Sequence, residues 1–502
     1  MTELEYLAEP LLEFGMGQRV EDPRDGLTLF GPLDTQVYGV RAAAIGTPTS
    51  LERLERWIAS IQGPVLAPGN PVARPPFPGF EAALRTKWEP TPALRREIPA
   101  DALNRALRLD DRHQRVHQAA DLFVEPLLES LRQEETRPDV WVLVVPDMLY
   151  QVCRPHSTVE KSLRIPVERR LSPRYGRSLR NAPTLFEDIN ALAEAYEFEP
   201  HFHNQVKARL IGHGVAVQIV RESTIAYAEV LNAAGQPLRD LHLVVTDIAW
   251  NLATAVYYKA GGRPWKLGTV RDGVCYLGLV FKKDEQSGDA RHACCAAQMF
   301  LDSGDGVVFR GAVGPWYSPE QRSFHLDARA ARDVVAMATT AYQKATGRPP
   351  RELFIHGRTR FDDEEWKGFS GAVPQGTNVV GVRIQRTGSF RLFRQKKHPV
   401  LRGLMYAETP HTAYLWTSGY TPRLKTYPGR EVPKPLLVDV HRGEADIKVV
   451  CQDVLALTKL NYNSCRFADG IPVTLRFADA IGEILTAGPT TEQPPLPFKF
   501  YI

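Results

Sequence analysis

Apolar runs and helical periodicities alternate along the first 240 residues of the chain. Residues 37–46 form an apolar run that ends on glycine, and residues 140–145 form a β-branched run typical of a central parallel strand. Residues 50–61 have apolar side chains at helical spacing, with Ser50 as the expected N-cap, and residues 101–135 share this periodicity over most of their length. The alternation predicts an α/β layer with a mainly parallel sheet.

The pattern of apolar positions changes near residue 240. One helix is predicted over residues 250–260, ending at a Gly-Gly pair, and another over Ala328–Thr346, stopping before Gly347. The other apolar runs of this half have the length of strands. They cover residues 274–281, 296–300, 306–309, 353–355, 379–384 and 413–417. We therefore predict an N-terminal segment over residues 1–35, one α/β domain over residues 36–240 and a second over residues 241–502.

The composition is that of an ordinary globular protein. The 502 residues are 43% hydrophobic and carry a formal net charge of +4, so any nucleic-acid surface must be local, and a neutral cytosolic enzyme fits these totals equally well. The six cysteines form no CxxC pair and lack zinc-ligand spacing, which is typical of reduced core residues. With no basic-then-apolar leader and no run of 18 apolar residues, we expect a soluble, cytoplasmic protein without membrane contact.

Separate stretches of the chain could together form an anion site. His203 and Lys207 are four residues apart, so on a helix they share one face. Gln218 lies in an apolar strand pattern, Lys259 ends a predicted helix, and the apolar C-terminus ends at Ile502. Two lysines, an imidazole and an amide around one point would suit a terminal phosphate. Simpler interpretations are a solvated helix face, a lysine favoured by the helix dipole, an edge-strand amide and a docked tail.

Several stretches resemble segments of Argonaute proteins. NLATAVYYKAGGRPWKL, residues 251–267, resembles the family's junction of MID and PIWI domains, which reads Asn, several residues, Lys, Gly-Gly, any residue, Pro-Trp. LLEFGMGQRVEDPRDGLTLFGPLD resembles the opening of short prokaryotic Argonautes, and FHNQVKARL with VQIVREST resembles their guide-pocket segments. FIHGRTRFDDEEWKGF and LTKLNYNSCRFADGIPVTLRFAD resemble their PIWI segments. The resemblance covers most of the chain in the family's order and leaves no room for a PAZ-like region, which indicates the short class.

The resemblance implies an α/β fold in which a Rossmann-like MID domain, residues 36–240, is followed by an RNase H-like PIWI domain, residues 241–502. In the family, the MID domain binds the 5′ phosphate of a short guide. Lys207, Gln218 and Lys259 match the phosphate-binding positions, and His203 stands where the family commonly has Tyr at the first nucleotide. The carboxylate of Ile502 is implied as a further group in the pocket, and a carboxylate beside a phosphate implies a bridging Mg²⁺.

The resemblance also locates the positions that cut nucleic acid in other members of the family, where clustered carboxylates hold two divalent ions. Here these positions are Val280, Gly357 and Asp479, and residues 310–319 contain no acid. We therefore expect that this chain does not cut. The alternative is a catalytically active, guide-dependent endonuclease with a different register of acids. The acids that would serve it, otherwise turn and cap residues, are Asp284, Asp302, Asp305, Asp362 and Asp363.

Guide and target are expected to lie between the two domains, where basic side chains would contact the phosphate backbone. The main candidates are Arg154, Lys161, Arg164, Arg221, Arg358 and Arg360. Further candidates are Arg169, Arg170, Arg383, Arg386, Arg391, Arg394, Lys396 and Lys397. Any one of them alone could instead be a solvated surface charge.

Short Argonautes resemble one half of two-component prokaryotic immune systems. The resemblance implies an RNA guide, a complementary invader DNA that is single-stranded or plasmid-derived, and a partner chain with an APAZ region fused to an effector. A sirtuin-like, NAD-depleting effector is favoured, with a TIR domain or a nuclease as alternatives. Two rival interpretations stay open: a Rossmann-like nucleotide enzyme, although AGGRPW lacks G-x-G-x-x-G spacing, and a structural scaffold.

Overall fold

The computed structural model describes residues 3–269, 271–283, 293–301, 306–320, 322–395, 397–427, 429, 431–489 and 496–502. The elements up to residue 267 are β1 (Glu3–Tyr6), β2 (Leu12–Glu13), β3 (Arg19–Val20), α1 (Pro23–Phe30), β4 (Ala42–Gly46), α2 (Pro48–Ser60), α3 (Phe80–Leu84), β5 (Leu94–Glu97), α4 (Ala100–Arg108), α5 (Arg112–Gln133), β6 (Val140–Val145), α6 (Asp147–Val152), α7 (Pro173–Asn181), α8 (Glu187–Glu197), α9 (Phe202–Leu210), β7 (Val217–Arg221), α10 (Glu222–Ile225), α11 (Val245–Lys259) and β8 (Lys266–Leu267).

The first layer is built on a parallel sheet with the strand order β5-β4-β6-β7. Every residue of the predicted central strand, β6, is buried. Its alternate side chains enter two different cores: Val140, Val142 and Val144 face one, and Trp141 and Leu143 face the other. Because alternate side chains point to opposite faces and both faces are covered, the strand appears in the sequence as a continuous apolar run.

The start of this layer differs in detail from the prediction. The strand expected over residues 37–46 begins only at Ala42, and Tyr38 before it is fully exposed. The following helix begins at Pro48, and its N-cap is Thr47, whose Oγ1 accepts a hydrogen bond from Ser50 N at 3.3 Å. Ser50, the predicted cap, lies inside the helix and donates its hydroxyl to Glu222. Proline at the first helical position has the φ that the helix needs and no N–H to satisfy, which favours the earlier start.

The second part of the chain forms a larger layer. Its elements are β9 (Val274–Lys283), β10 (Ala293–Phe300), β11 (Gly306–Gly314), β12 (Tyr317–Ser318), β13 (Ser323–Phe324), α12 (Ala328–Thr346), β14 (Glu352–Gly357), α13 (Asp363–Ser370), β15 (Asn378–Arg386), β16 (Leu404–Ala407), β17 (Thr412–Leu415), β18 (Leu436–Arg442), α14 (Ile447–Leu457), α15 (Val473–Arg476), α16 (Ala478–Thr486) and β19 (Leu496–Pro497).

The sheet of the second layer has the order β1-β16-β17-β18-β15-β14-β9-β10-β11-β19 among the described strands. β14 runs parallel to both β9 and β15, and the other neighbours are antiparallel. α12 has the predicted bounds. The Asp327 side chain accepts from Ala330 N at 2.7 Å at its start, and Gly347 ends it with a φ of +78°. A polar cap and a left-handed glycine are the usual helix boundaries, so the local sequence fixes both ends.

The N-terminal residues are integrated into the second layer. β1 pairs with β16, and β2 pairs with β8. Glu9 lies in a buried ion cluster, where it accepts from Arg402 Nε at 2.9 Å and from Lys459 Nζ at 2.8 Å. One continuous core runs from the first sheet into the second, so groups from both layers can meet. Among the described residues, no helix combines the length and the apolar character needed to cross a membrane.

Candidate nucleic-acid interface

Lys207 reaches the interior from α9. Phe202, Val206 and Leu210 pack into the core of the first layer and thereby fix the orientation of this helix. Lys207 is 3% exposed, and its Nζ donates a hydrogen bond to the backbone oxygen of Tyr501 at 3.0 Å. The predicted helical face therefore meets the end of the chain, which comes from the second layer.

Lys259 is the last residue of α11 and is 2% exposed. Its Nζ donates to Gln218 Oε1 at 2.7 Å, and the Gln218 amide donates to the oxygen of Ile219 at 3.2 Å. Gln218 lies on β7 and is half-buried. The structure thus brings Lys259 and Gln218 together across the two layers, as the anion-site hypothesis requires.

The two lysines form an electrostatic unit. Burial lowers the pKa of Lys207 to about 7. Burial, and then the nearby charge of Lys207, lowers the pKa of Lys259 well below its usual range. Within the described part of the chain, the hydrogen-bond partners of both ammonium groups are neutral oxygens, and no carboxylate lies at ion-pairing distance. Charging two buried amines without a counter-ion is unfavourable, which is why both pKa values are lowered; a bound anion would favour their charged forms.

Lys459 is another buried lysine of this chain, and its surroundings can be compared with those of Lys207 and Lys259. It is also 2% exposed, but its Nζ lies 2.8 Å from the Glu9 carboxylate. Burial lowers its pKa to about 8, while Glu9 acts in the opposite direction. A buried lysine elsewhere in this protein therefore has an internal counter-ion. Among the described residues, by contrast, Lys207 and Lys259 have only neutral oxygens as hydrogen-bond partners.

His203 borders this pair. His203 is exposed at the surface; desolvation of its ring, and then the charge of Lys207, lowers its pKa. Its Nδ1 lies 3.2 Å from Asn204 Oδ1. The imidazole is therefore neutral near pH 7 and can stack or exchange hydrogen bonds, but it adds no charge.

The C-terminus is held at the same place. Ile502 and Tyr501 are buried, and the Phe498 ring packs against Phe300 and Phe477 at centroid distances of 5.3 and 5.2 Å. Because Lys207 holds the oxygen of Tyr501, the carboxylate of Ile502 is one residue away from that hydrogen bond. The apolar tail is docked, and it ends beside the lysine pair.

Two predicted arginines enclose an aromatic residue that the sequence analysis did not select. The guanidinium carbons of Arg154 and Arg221 lie 3.8 and 4.1 Å from the ring centroid of Tyr150. Arg221 also lies 3.8 Å from the Asp147 carboxylate. Tyr150 belongs to α6, directly after the carboxyl end of β6, where open α/β sheets bind ligands. The position of Tyr150 just after a predicted central strand is the sequence feature that could have identified it as a candidate.

The arginines stack on Tyr150 close to the lysine pair. Burial lowers the pKa of His201, and the charge of Arg154 acts in the same direction; the His201 ring centroid lies 6.3 Å from that of His203. The other two main candidates of the first layer are exposed. Lys161 begins a short 3₁₀ turn, Lys161–Leu163, and Arg164 follows it. A basic surface therefore extends from His203 past Tyr150.

Two of the predicted nuclease positions lie where β14 ends beside β9: Gly357 is the last residue of β14, and Val280 lies within β9. The parallel register pairs His356 with Gly278, so two residues further along, Arg358 is level with Val280, and Gly357 is level with residue 279. The guanidinium of Arg358 donates two hydrogen bonds of 3.0 Å to the carboxylate of Asp479. Asp479, the one carboxylate at the predicted nuclease positions, is thus paired with Arg358, the residue that follows β14.

The alternative acids fall into two groups. Asp362 caps α13 by accepting from Glu365 N at 2.8 Å, and Asp363 accepts from Arg442 at 2.6 Å, so both have structural roles. Asp284, Asp302 and Asp305 lie outside the described residues, as do Lys396 and the side chains of Val280 and residues 310–313. Arg360 and Arg383 both pair with the buried carboxylate of Asp439, at 2.9 and 3.1 Å.

In the described part of the chain, one His/Asp/Glu group is compact enough to hold a metal ion: His325, Asp362 and Glu365. Its ligand atoms already have partners. Glu365 accepts from Leu326 N at 2.8 Å with one oxygen, and His325 Nδ1 lies 2.8 Å from the other. These contacts fasten the start of α13 to the segment before α12, so the group serves packing.

Comparisons with known proteins were made for the whole chain. No protein-family model matches. The Argonaute of Aquifex aeolicus (strain VF5) is 22% identical over 241 residues, which are 47% of this chain and 31% of that protein. A structure of Clostridium butyricum Argonaute bound to a guide DNA and a 19-mer target DNA matches with a TM-score of 0.62 and 13% identity, covering 100% of this chain and 55% of that one.

Two further structures give the same result. Drosophila Piwi matches with a TM-score of 0.60 and 13% identity over 99% of this chain and 56% of that one. A. aeolicus Argonaute with externally bound siRNA matches with a TM-score of 0.55 and 15% identity over 99% and 56%. The chain spans about half the length of these proteins. Because these sequence identities are low, the structural matches establish the fold alone. The chain has the α/β architecture of the MID and PIWI domains of Argonaute proteins, as the sequence predicted.

Proposed function

We propose that this protein is a guide-directed nucleic-acid recognition subunit that binds the 5′ phosphate of a short guide. The observation that carries the proposal is the pair of buried ammonium groups, Lys207 and Lys259, whose partners among the described residues are neutral oxygens. A terminal phosphate has the negative charge and the acceptor oxygens that both lysines lack. Its second ionisation has a pKa of about 6, so it carries close to two negative charges at neutral pH.

The surrounding groups have separate roles in the proposed complex. Gln218 orients Lys259 and offers its amide to the phosphate, and neutral His203 contacts the first nucleotide. Mg²⁺ would be held by the Ile502 carboxylate together with phosphate oxygens and would neutralise their repulsion. A single carboxylate plus phosphate is a ligand set that Mg²⁺ accepts, and the docked C-terminus supplies that carboxylate.

The guide would pair with a complementary strand over the basic surface. Arg154 and Arg221, supported by Tyr150, would contact guide phosphates near the 5′ end, and exposed Lys161 and Arg164 would contact the backbone further along. Such contacts position a duplex, while base pairing reads its sequence. By resemblance to short Argonautes, the guide is an RNA and the target is invader DNA.

We further propose that the chain does not cut the target. Valine at position 280 and the pairing of Asp479 with Arg358 support this, because two metal ions need several converging carboxylates. The protein is incubated with guide, labelled target and Mg²⁺ or Mn²⁺, beside an Asp479→Ala variant. We expect no guide-dependent product. Cleavage by the wild type that Asp479→Ala abolishes would establish the alternative, an active endonuclease.

Recognition without cutting needs an output in another protein. We propose a cytoplasmic heterodimer with an APAZ-containing effector in prokaryotic immunity, the effector being sirtuin-like and NAD-depleting, or else a TIR domain or a nuclease. The support is the resemblance of the sequence segments to those of short Argonautes. Native purification of the tagged chain tests both parts of the proposal. We expect short RNA and an effector protein to co-purify with the wild type. With Lys207→Ala, we expect the RNA to be lost and the effector band to be unaltered. Mononucleotide in place of RNA would favour a nucleotide enzyme.

A further inference from the structure

The connection between β15 and β16, residues 387–403, lies in a strongly basic stretch. Residues 366–407 contain no Asp or Glu. The same stretch contains Lys367, Arg383, Arg386, Arg391, Arg394, Lys396, Lys397 and Arg402. A protein with a formal net charge of only +4 therefore concentrates basic residues in this stretch, two of which, Arg383 and Arg402, pair with Asp439 and Glu9.

Aromatic contacts fix this connection at two points. The ring of Phe390 lies 4.7 Å from that of Tyr414 and 5.5 Å from that of Tyr406, on neighbouring strands. Eight residues further along, His398 stacks on Tyr420 at a centroid distance of 4.3 Å and an interplanar angle of 24°. The segment between these two anchors is held against the sheet at both ends, so its side chains are presented from a defined place.

Phe393 lies in the middle of that segment and is 77% exposed. Arg391, Arg394 and Lys397 around it are exposed, and none of them has an acidic partner within the described part of the chain. A single exposed phenylalanine is ordinary in proteins. Here, however, the phenylalanine lies between guanidinium groups that have no acidic partner in the described part of the chain, and its segment is anchored at both ends. This combination suits a ligand that has both flat rings and negative charges.

The connection leaves the sheet at the edge already described. β14 and β15 are parallel, with Gly357 opposite Arg383, so their carboxyl ends lie at one edge. Gln385, two residues before the connection begins, donates its amide to the backbone oxygen of Arg358. Phe393 lies eight residues after Gln385, on the connection that leaves the sheet at this edge.

We propose that Phe393 stacks on an unpaired base of a nucleic-acid strand whose phosphates are contacted by Arg391, Arg394 and Lys397. Aromatic stacking accepts any base, and neighbouring cations hold the backbone, which is the arrangement of single-strand binding surfaces. A protein partner would need a surface for the ring together with several acidic side chains, whereas a nucleic-acid strand supplies a flat ring and a phosphate at every nucleotide. The proposal rests on the proposed function, since it assumes that the chain binds nucleic acid.

The test uses a 5′-phosphorylated guide and a partly complementary DNA strand with a single-stranded tail, carrying 2-aminopurine at successive positions. Stacking quenches this fluorophore. We expect quenching at one or two unpaired positions with the wild type and with Phe393→Trp. With Phe393→Ala, the fluorescence should return and the affinity for the tailed strand should fall about fivefold to tenfold. The matched control is Phe186→Ala: Phe186 is 64% exposed but is followed by Glu187 and Asp188.

Each result has one meaning. If the wild type binds the guide but Phe393→Ala behaves like Phe186→Ala at every 2-aminopurine position, the inference is overturned and the proposed function stands. If Phe393→Ala instead releases a co-purifying protein and leaves the oligonucleotide signals unchanged, Phe393 contacts a protein, and the inference is again overturned. If the wild type binds neither strand, the proposed function fails first.

Discussion

The ammonium groups of Lys207 and Lys259 lie close enough in the interior for the charge of Lys207 to lower the pKa of Lys259. Lys207 comes from the first layer, and Lys259 ends the helix that leads into the second. In the described part of the chain these two buried amines have no carboxylate partner, whereas Lys459 has Glu9. A bound anion would remove this unfavourable interaction, and several consequences can be measured.

The first prediction concerns stability without a guide. Lys207→Met should leave the melting temperature unchanged or raise it, because it replaces a buried, unpaired cation with an apolar chain of similar length. The matched control is Glu9→Gln, which removes the counter-ion of buried Lys459 and Arg402 and should destabilise by roughly 3–5 kcal/mol. Urea unfolding of both variants measures the difference. Equal destabilisation by the two substitutions would contradict the account of the lysine pair.

The second prediction concerns pH. Lys207 has a pKa of about 7 in the folded protein and an ordinary value of 10.5 when unfolded. Between these values the unfolded state binds more protons, so the contribution of Lys207 makes the guide-free protein more stable as pH rises through this window. A bound phosphate favours the protonated lysine, so the affinity for a 5′-phosphorylated guide should fall as pH rises above about 7. Titrations from pH 6.5 to 9 check this; in Lys207→Met the pH dependence should be smaller, and an identical slope would contradict the assignment.

The third prediction concerns the arginines on Tyr150. Arg221→Gln should weaken guide binding and reduce the slope of log affinity against log salt by about 1, because one phosphate contact is lost. Arg105→Gln is the control: Arg105 lies on α4 and pairs with Asp101 at 3.4 Å. Fluorescence anisotropy at several salt concentrations gives both slopes. If Arg221→Gln keeps the wild-type slope, Arg221 does not contact a phosphate.

The fourth prediction concerns the C-terminus. Appending two residues after Ile502 moves the terminal carboxylate away from the place where Lys207 holds Tyr501. We expect chelation by EDTA to weaken binding of a phosphorylated guide by the wild type, and to have less effect on the extended chain. Calorimetric titrations with and without Mg²⁺ compare the two proteins. Binding by the wild type that is indifferent to Mg²⁺ would remove the proposed ion.

Local signals in the sequence predicted β6 and α12 well, because a continuous β-branched run and a cap-to-glycine helix are specified by neighbouring residues. β16 and β18 were missed; each pairs with a strand far away in the chain, β1 and β15 respectively. The attachment of β1 to the second layer is likewise non-local. Such pairings depend on tertiary contacts that a local pattern does not contain.

The candidate site divides in the same way. Lys207, Gln218 and Lys259 were predicted and do come together. Tyr150 was missed because its significance comes from two arginines on separate elements. The pairing of Arg358 with Asp479 was also invisible, since it depends on the register of two strands more than seventy residues apart and on a helix near the chain end.

The most direct measurement is the ratio of dissociation constants for one guide carrying either a 5′ phosphate or a 5′ hydroxyl. It is made with the wild type and with Lys207→Met and Lys259→Met, at pH 7 and in the presence of Mg²⁺. We predict that the wild type prefers the phosphate about tenfold or more, as expected for charge-assisted hydrogen bonds, and that each variant, folded as judged by its melting curve, loses most of this preference. A wild type that binds both guides equally, or variants that keep the full preference, would contradict the claim that Lys207 and Lys259 bind the guide's 5′ phosphate.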